Sequence, residues 1–179
     1  MYKSILFLFL MLLVFNLYAQ EDLTILQQNN DKKINIDAAY IFGSEIKNGG
    51  TMAFGILLYN KGRWNIRSHT GIDSYTIIMP TEETYTLGIT EKITFTGQNS
   101  IIGIGRPYGY IDGGVSFYGN KSKEKLFSTP LWYKAGFGCG ADINIVKNMA
   151  WFTEFGVVYH IMENKYQWRQ ILTIGMRIY

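Results

Sequence analysis

Cysteine is almost absent: Cys139 is the only one among 179 residues, which excludes an internal disulfide framework and any four-cysteine metal site. Histidine is nearly as scarce. His69 and His160 fall in separate segments without cysteine support, so there is no metal-ligand spacing and no cofactor is expected. Charge is low as well, with Asp, Glu, Lys and Arg at 17% against about 25% in an ordinary soluble domain. A formal net charge of +3 is too small to argue for nucleic acid as a partner. What abounds is aromatic: 13 Tyr, 11 Phe and 4 Trp, beside 19 Gly. A disordered chain shows the opposite balance, so disorder is excluded. The length suits one domain with a buried core.

Residues 1–19 read as a targeting segment. Lys3 is a minimal positive start, and the apolar run from Ile5 to Phe15 is too short for a spanning helix of roughly 20 residues. It fits the apolar region of a secretory signal, with cleavage expected after Ala19 and a retained anchor as the alternative. No cysteine lies near that position, which excludes a lipoprotein signal. A polar lead-in, 20–33, follows.

From Ile34 onward the chain alternates with a period of two, the signature of a two-faced strand. Between Leu131 and Ile145, Tyr133, Ala135, Phe137, Cys139, Ala141 and Ile143 oppose Lys134, Gly136, Gly138, Gly140, Asp142 and Asn144. The same split recurs in the stretches 34–46, 63–73, 84–96, 108–118, 149–162 and 168–179, and less decisively in 51–59. Eight strands are expected. The apolar stretch around Ile101, Ile102 and Ile104 leaves ten as the alternative, through an extra hairpin.

A soluble sandwich would alternate too, with its apolar face inside. Three features favour a closed all-β, antiparallel up-and-down barrel with the apolar face turned to lipid. The polar face is rich in glycine, hydroxyls and charges of both signs, which suits the side-chain-filled interior of a small barrel. Connectors are expected to alternate in length: tight turns at 60–62 and 146–148, longer polar links at 45–50, 74–83, 119–130 and 163–167. Aromatic residues stand near strand ends, with Trp64, Trp151, Tyr133 and Trp168 placed as interfacial belts. Hydrocarbon offers no hydrogen-bond partner, so a sheet immersed in it must close on itself.

With these features the stretch from Ile34 to Tyr179 resembles small bacterial outer-membrane β-barrel proteins of the OmpA-domain or OmpX type. The resemblance implies a barrel over 34–179, a periplasmic lead-in over 20–33, and residence in the outer membrane. It also implies outer-membrane lipid as a partner, envelope or surface proteins as partners of the external loops, and a structural or surface-interaction role. In one respect the chain departs from the group. Tyr179 shares its phase with Arg177, while Ile174, Met176 and Ile178 carry the apolar face.

The inward phase holds the charges: Asp37, Arg67, Asp73, Lys92, Asp112, Lys134, Asp142, Glu154 and Arg177, with His69 and His160. An unpaired buried charge is expensive, so a network of mutual pairs is expected. Glu91 falls on the apolar face. Two other functions are the alternatives. A soluble lipocalin-like barrel binding an apolar ligand would turn Tyr133, Phe137 and Ile143 inward. A lipid-modifying enzyme, similar to the eight-stranded lipid A deacylases, would need His, Ser and a carboxylate together on the lipid face. The stretch from Tyr159 to Asn164 contains His160 but no serine.

Overall fold

The computed structural model describes residues 32–61, 64–78, 83–97, 105–120, 128–162 and 165–179. The targeting segment, most of the lead-in, and the 98–104 stretch that raised the ten-strand alternative lie outside the described residues. Eight strands make up the fold: β1 (Ile34–Gly43), β2 (Ile46–Lys61), β3 (Trp64–Ile78), β4 (Glu83–Gly97), β5 (Gly105–Asn120), β6 (Ser128–Val146), β7 (Met149–Met162) and β8 (Lys165–Ile178). Each pairs antiparallel with its sequence neighbour, and β1 pairs with β8 to close the barrel. Among the described residues the count is eight, and the barrel they form is closed.

Closure fixes which side chains share a level inside. Asp37 stands opposite Arg177 on β8, Lys92 opposite Asp112 on β5, and Lys134 opposite His160 on β7. The outer wall is apolar: Met52, Ile72, Ile89, Ile111, Phe137 and Phe155 are all exposed. Phe137, at the middle of β6, is 57% exposed, so the faces point opposite to those of a soluble ligand-binding barrel.

Connector lengths do not alternate as the sequence implied. The expected loop at 45–50 is a two-residue turn, Ser44 and Glu45, followed directly by β2. Glu45 takes a left-handed φ of 60° there. Likewise β3 runs on to Ile78 through half of the expected loop at 74–83, and only two residues, 163–164, separate β7 from β8. The reason is that these strands outrun the apolar wall. At the end of the barrel remote from the termini, the apolar side chains turn inward. Ile41, Ile46, Tyr75, Ile77 and Trp132 form a buried cluster, with Tyr118 and Ile171 against it. Lys47, Asn48 and Ser74 face out at the same end. That is the pattern of a barrel surrounded by water, and the change of phase makes a continuing strand read as loop.

Several inward glycines leave room for aromatic rings. A Cβ at Gly138 or Gly156 would run into Tyr110, and one at Gly140 into Tyr108. Substituting Gly156 by alanine is therefore expected to cost about 1–3 kcal/mol, the usual penalty of overpacking. Urea unfolding in micelles measures it. Tyr110→Phe should recover part of the loss, because the phenol oxygen is the nearest obstacle.

Candidate functional site

The charged groups lie in the barrel interior as three layers, each tied across several strands. Nearest the termini, Arg177 is 2% exposed and divides its guanidinium between two carboxylates. Its Nε and Nη2 donate to Asp37 at 2.8 and 2.9 Å, and Nη1 donates to both oxygens of Asp142 at 2.9 and 2.7 Å. β8 is thus bound to β1 on one side and to β6 on the other. Asp37 also accepts from Asn35 Nδ2 at 2.7 Å and lies 3.0 Å from His69 Nδ1. Arg67 donates to Asn35 and to the Lys32 carbonyl, and lies 5.4 Å from the ring centre of Tyr179. The terminal tyrosine is thus an interior residue, its hydroxyl donating to Asp142 at 3.3 Å.

In the middle layer Lys92 of β4 donates to both oxygens of Glu154 on β7, at 2.9 and 2.7 Å. Tyr108 of β5 donates to the same carboxylate at 2.9 Å, and the Lys92 ammonium sits 5.0 Å from the Tyr110 ring centre. Lys134 of β6 pairs with Asp73 of β3, which also accepts from Thr90 at 3.0 Å. Between these pairs is a cavity of about 50 Å³, lined by Asp112, Tyr110 and Thr173 among others. That is space for a few waters, which need about 10–15 Å³ each by this measure. Asp112 Oδ1 and the Tyr110 hydroxyl have no hydrogen-bond partner among the described residues and are the groups such waters would satisfy.

The third layer lies toward the remote mouth. His160 Nε2 is 2.6 Å from the Tyr75 hydroxyl, and Arg169 Nη1 is 3.1 Å from His160 Nδ1. A guanidinium can only donate, so Nδ1 accepts and the proton of a neutral ring lies on Nε2. Arg169 Nε lies 3.3 Å from Glu45 at the rim. The apolar cluster around Ile77 and Trp132 fills the lumen at this end.

Every charged residue that the sequence assigned to the inward phase is placed inside: Asp37, Arg67, Asp73, Lys92, Asp112, Lys134, Asp142, Glu154 and Arg177. Arg106 and Arg169, buried at 2% and 1%, join them, as do the rings of Tyr75 and Tyr108. Phase was the available signal for the two arginines: Arg106 is in step with Tyr110 and Asp112, and Arg169 with Arg177. Asp37, Asp73, Asp112, Asp142 and Glu154 balance Arg67, Lys92, Arg106, Lys134 and Arg177, so these ten groups are formally neutral together.

Outside, the aromatic residues stand at two heights. Trp64 and Trp151 are exposed at the end near the termini, and Tyr133 and Trp168 toward the other, where Trp168 packs on Tyr159 with ring centres 4.5 Å apart. From Tyr133 to Ile143, the partner of Trp151, is ten steps along β6. At ~3.3 Å per residue and a tilt of roughly 40°, that rises about 25 Å, the height of an outer-membrane apolar band. Trp132 points inward and stacks on Tyr118 at 4.5 Å. Glu91 does face outward, and its carboxylate accepts hydrogen bonds from the hydroxyls of Ser68 and Thr70 on β3. Both donors are local, so this acid is satisfied without any lipid group.

A closed eight-stranded antiparallel barrel with an apolar wall and a charged, filled interior is the fold of small bacterial outer-membrane β-barrel proteins. Two solved structures make the likeness concrete. Neisserial surface protein A (NspA) matches with a TM-score of 0.59 at 14% identity, over 81% of this chain and 94% of that one. The outer membrane enzyme PagL matches with a TM-score of 0.52 at 10% identity, over 80% and 98%. At such identities the likeness shows the fold alone. No family model and no curated protein matches the chain.

Proposed function

We propose that the chain is an integral outer-membrane protein with a structural or surface-interaction role, its loops offered to other envelope or surface proteins and its wall to lipid. The observation that carries this is the division of the faces. Large apolar side chains cover the outside along every strand, while the charges between the two aromatic belts, Glu91 apart, are sequestered within. In water such a wall would be a severe aggregation hazard, whereas in hydrocarbon it costs nothing. The packed lumen, with its apolar cluster at one end and its Arg177 layer at the other, argues against a wide pore. The lipocalin-like alternative calls for an apolar interior cavity, and the space found is small and has Asp73, Lys92, Asp112, Lys134 and Glu154 in its lining.

An enzyme acting on lipid is the second reading, favoured by the fold shared with PagL. The side chains favour it less. His69 and His160 both lie inside, buried at 2% and 1%, while the serine and carboxylate that meet on the lipid face, Ser68 and Glu91, are joined by Thr70. Nucleophilic attack by a serine needs a base at hydrogen-bond distance. His160 is occupied by Tyr75 and Arg169.

Fractionation tests the main reading. The protein is expected in the outer-membrane fraction, released only by detergent, with a gel mobility that changes on boiling as the barrel opens. Recovery from the soluble periplasmic fraction without detergent would refute it.

A further inference from the structure

We infer that the outer wall beside the start of β1 carries a binding site for an anionic glycerophospholipid, an inference that rests on the membrane reading above. An open groove of about 350 Å³ runs there between β1 and β2, lined by Ile34, Phe54, Ile56, Leu58 and Tyr59, with Lys33 and Asn60 at its end. A β-bulge makes it. Pairing between β2 and β3 skips from Leu57 to Tyr59, so the consecutive side chains Leu58 and Tyr59 are both exposed on the lipid side. The Leu57 amide donates to the Lys33 carbonyl at 2.8 Å, which anchors Lys33 beside the bulge. Ile34 and Ile56 are the first paired residues of β1 and β2, so beyond them β2 runs on to Lys61 without β1 alongside.

Charge selects the occupant. Lys33 and Lys61 are exposed at this end, as is Lys147 in the turn between β6 and β7. None has a carboxylate within salt-bridge distance among the described residues, whereas Lys47 at the opposite end is paired with Glu83 at 3.0 Å. An acyl chain gains little by leaving other acyl chains for an apolar groove, because lipid tails are as apolar as leucine. The groove therefore positions a chain, and the headgroup phosphate beside Lys33 and Lys61 supplies the selectivity. Each basic side chain near an anionic lipid surface is worth about a fivefold preference.

The test uses the full mature chain reconstituted in phosphatidylcholine bilayers with spin-labelled phosphatidylglycerol or spin-labelled phosphatidylcholine as the probe. The labelled anionic lipid should be held at the protein about fivefold or more in preference to the zwitterionic one. Lys33→Gln with Lys61→Gln should bring the two to parity, and Leu58→Trp, which fills the groove, should lower retention of the anionic probe. Lys147→Gln, at the same end but away from the groove, should change neither. Equal retention of both lipids by the unaltered protein would overturn the site, as would a loss with Lys147→Gln equal to that of the double variant. Failure to enter bilayers at all would overturn the membrane reading and the site together, and is distinguishable because neither probe would then be retained.

Discussion

Replacing Arg177 with methionine is expected to destabilise the barrel by about 3–5 kcal/mol, the usual cost of removing one partner from a buried ion pair. The guanidinium makes four hydrogen bonds, to Asp37 and Asp142, and both carboxylates are 4% exposed. Without it Asp142 loses both close charged bonds, keeps the long bond from the Tyr179 hydroxyl and the neighbouring charge of Arg106 on β5, and the interior is left with one negative charge in excess. Urea unfolding in micelles, followed by tryptophan fluorescence, measures the loss. The double change Asp142→Asn with Arg177→Met removes one charge of each sign, keeps the interior formally neutral and should recover much of the stability. That recovery would show that the excess charge, rather than the lost packing of one long side chain, sets the cost. An unchanged midpoint in the single variant would mean that this layer does not tie β8 to β1 and β6.

The second large effect lies on the opposite face. Phe137→Arg places a guanidinium at the middle of β6, where the wall is most apolar, and should cost about 2–4 kcal/mol in a bilayer. The same change at Trp151, close to one interface, should cost about 0–1 kcal/mol by depth alone. Folding yield into vesicles for the two variants gives the comparison. Only a lipid-facing wall makes the penalty depend on depth. If Phe137 faced water, arginine would be accepted there without loss.

Much of this was legible because strand alternation has only two phases. Once Phe137 and Cys139 are set on one face, Lys134 and Asp142 must lie on the other, and closure into a barrel turns that other face inward. The eight strands and the inward charges follow from that rule. Pairing across the barrel does not. Nothing local in the sequence joins Lys92 to Glu154, 62 residues away, or Tyr75 to His160, 85 away. Those contacts depend on register and on which strands face each other through the lumen. The misread loops had a different cause. Lys47, Asn48, Gly49 and Gly50 carry turn chemistry, yet they continue β2, where Gly49 leaves room for Tyr75. Beyond the apolar band the phase inverts, and an alternation rule tuned to lipid fails there.

The chain supplies its own probe for the central claim, that the apolar face looks into hydrocarbon. Cys139, exposed near the middle of β6 and the only cysteine present, can carry a nitroxide without any substitution. In reconstituted bilayers the label should be relaxed strongly by oxygen, which concentrates in lipid, and hardly at all by a water-soluble nickel chelate. Strong relaxation by the chelate and weak relaxation by oxygen would put Cys139 in water and contradict the account.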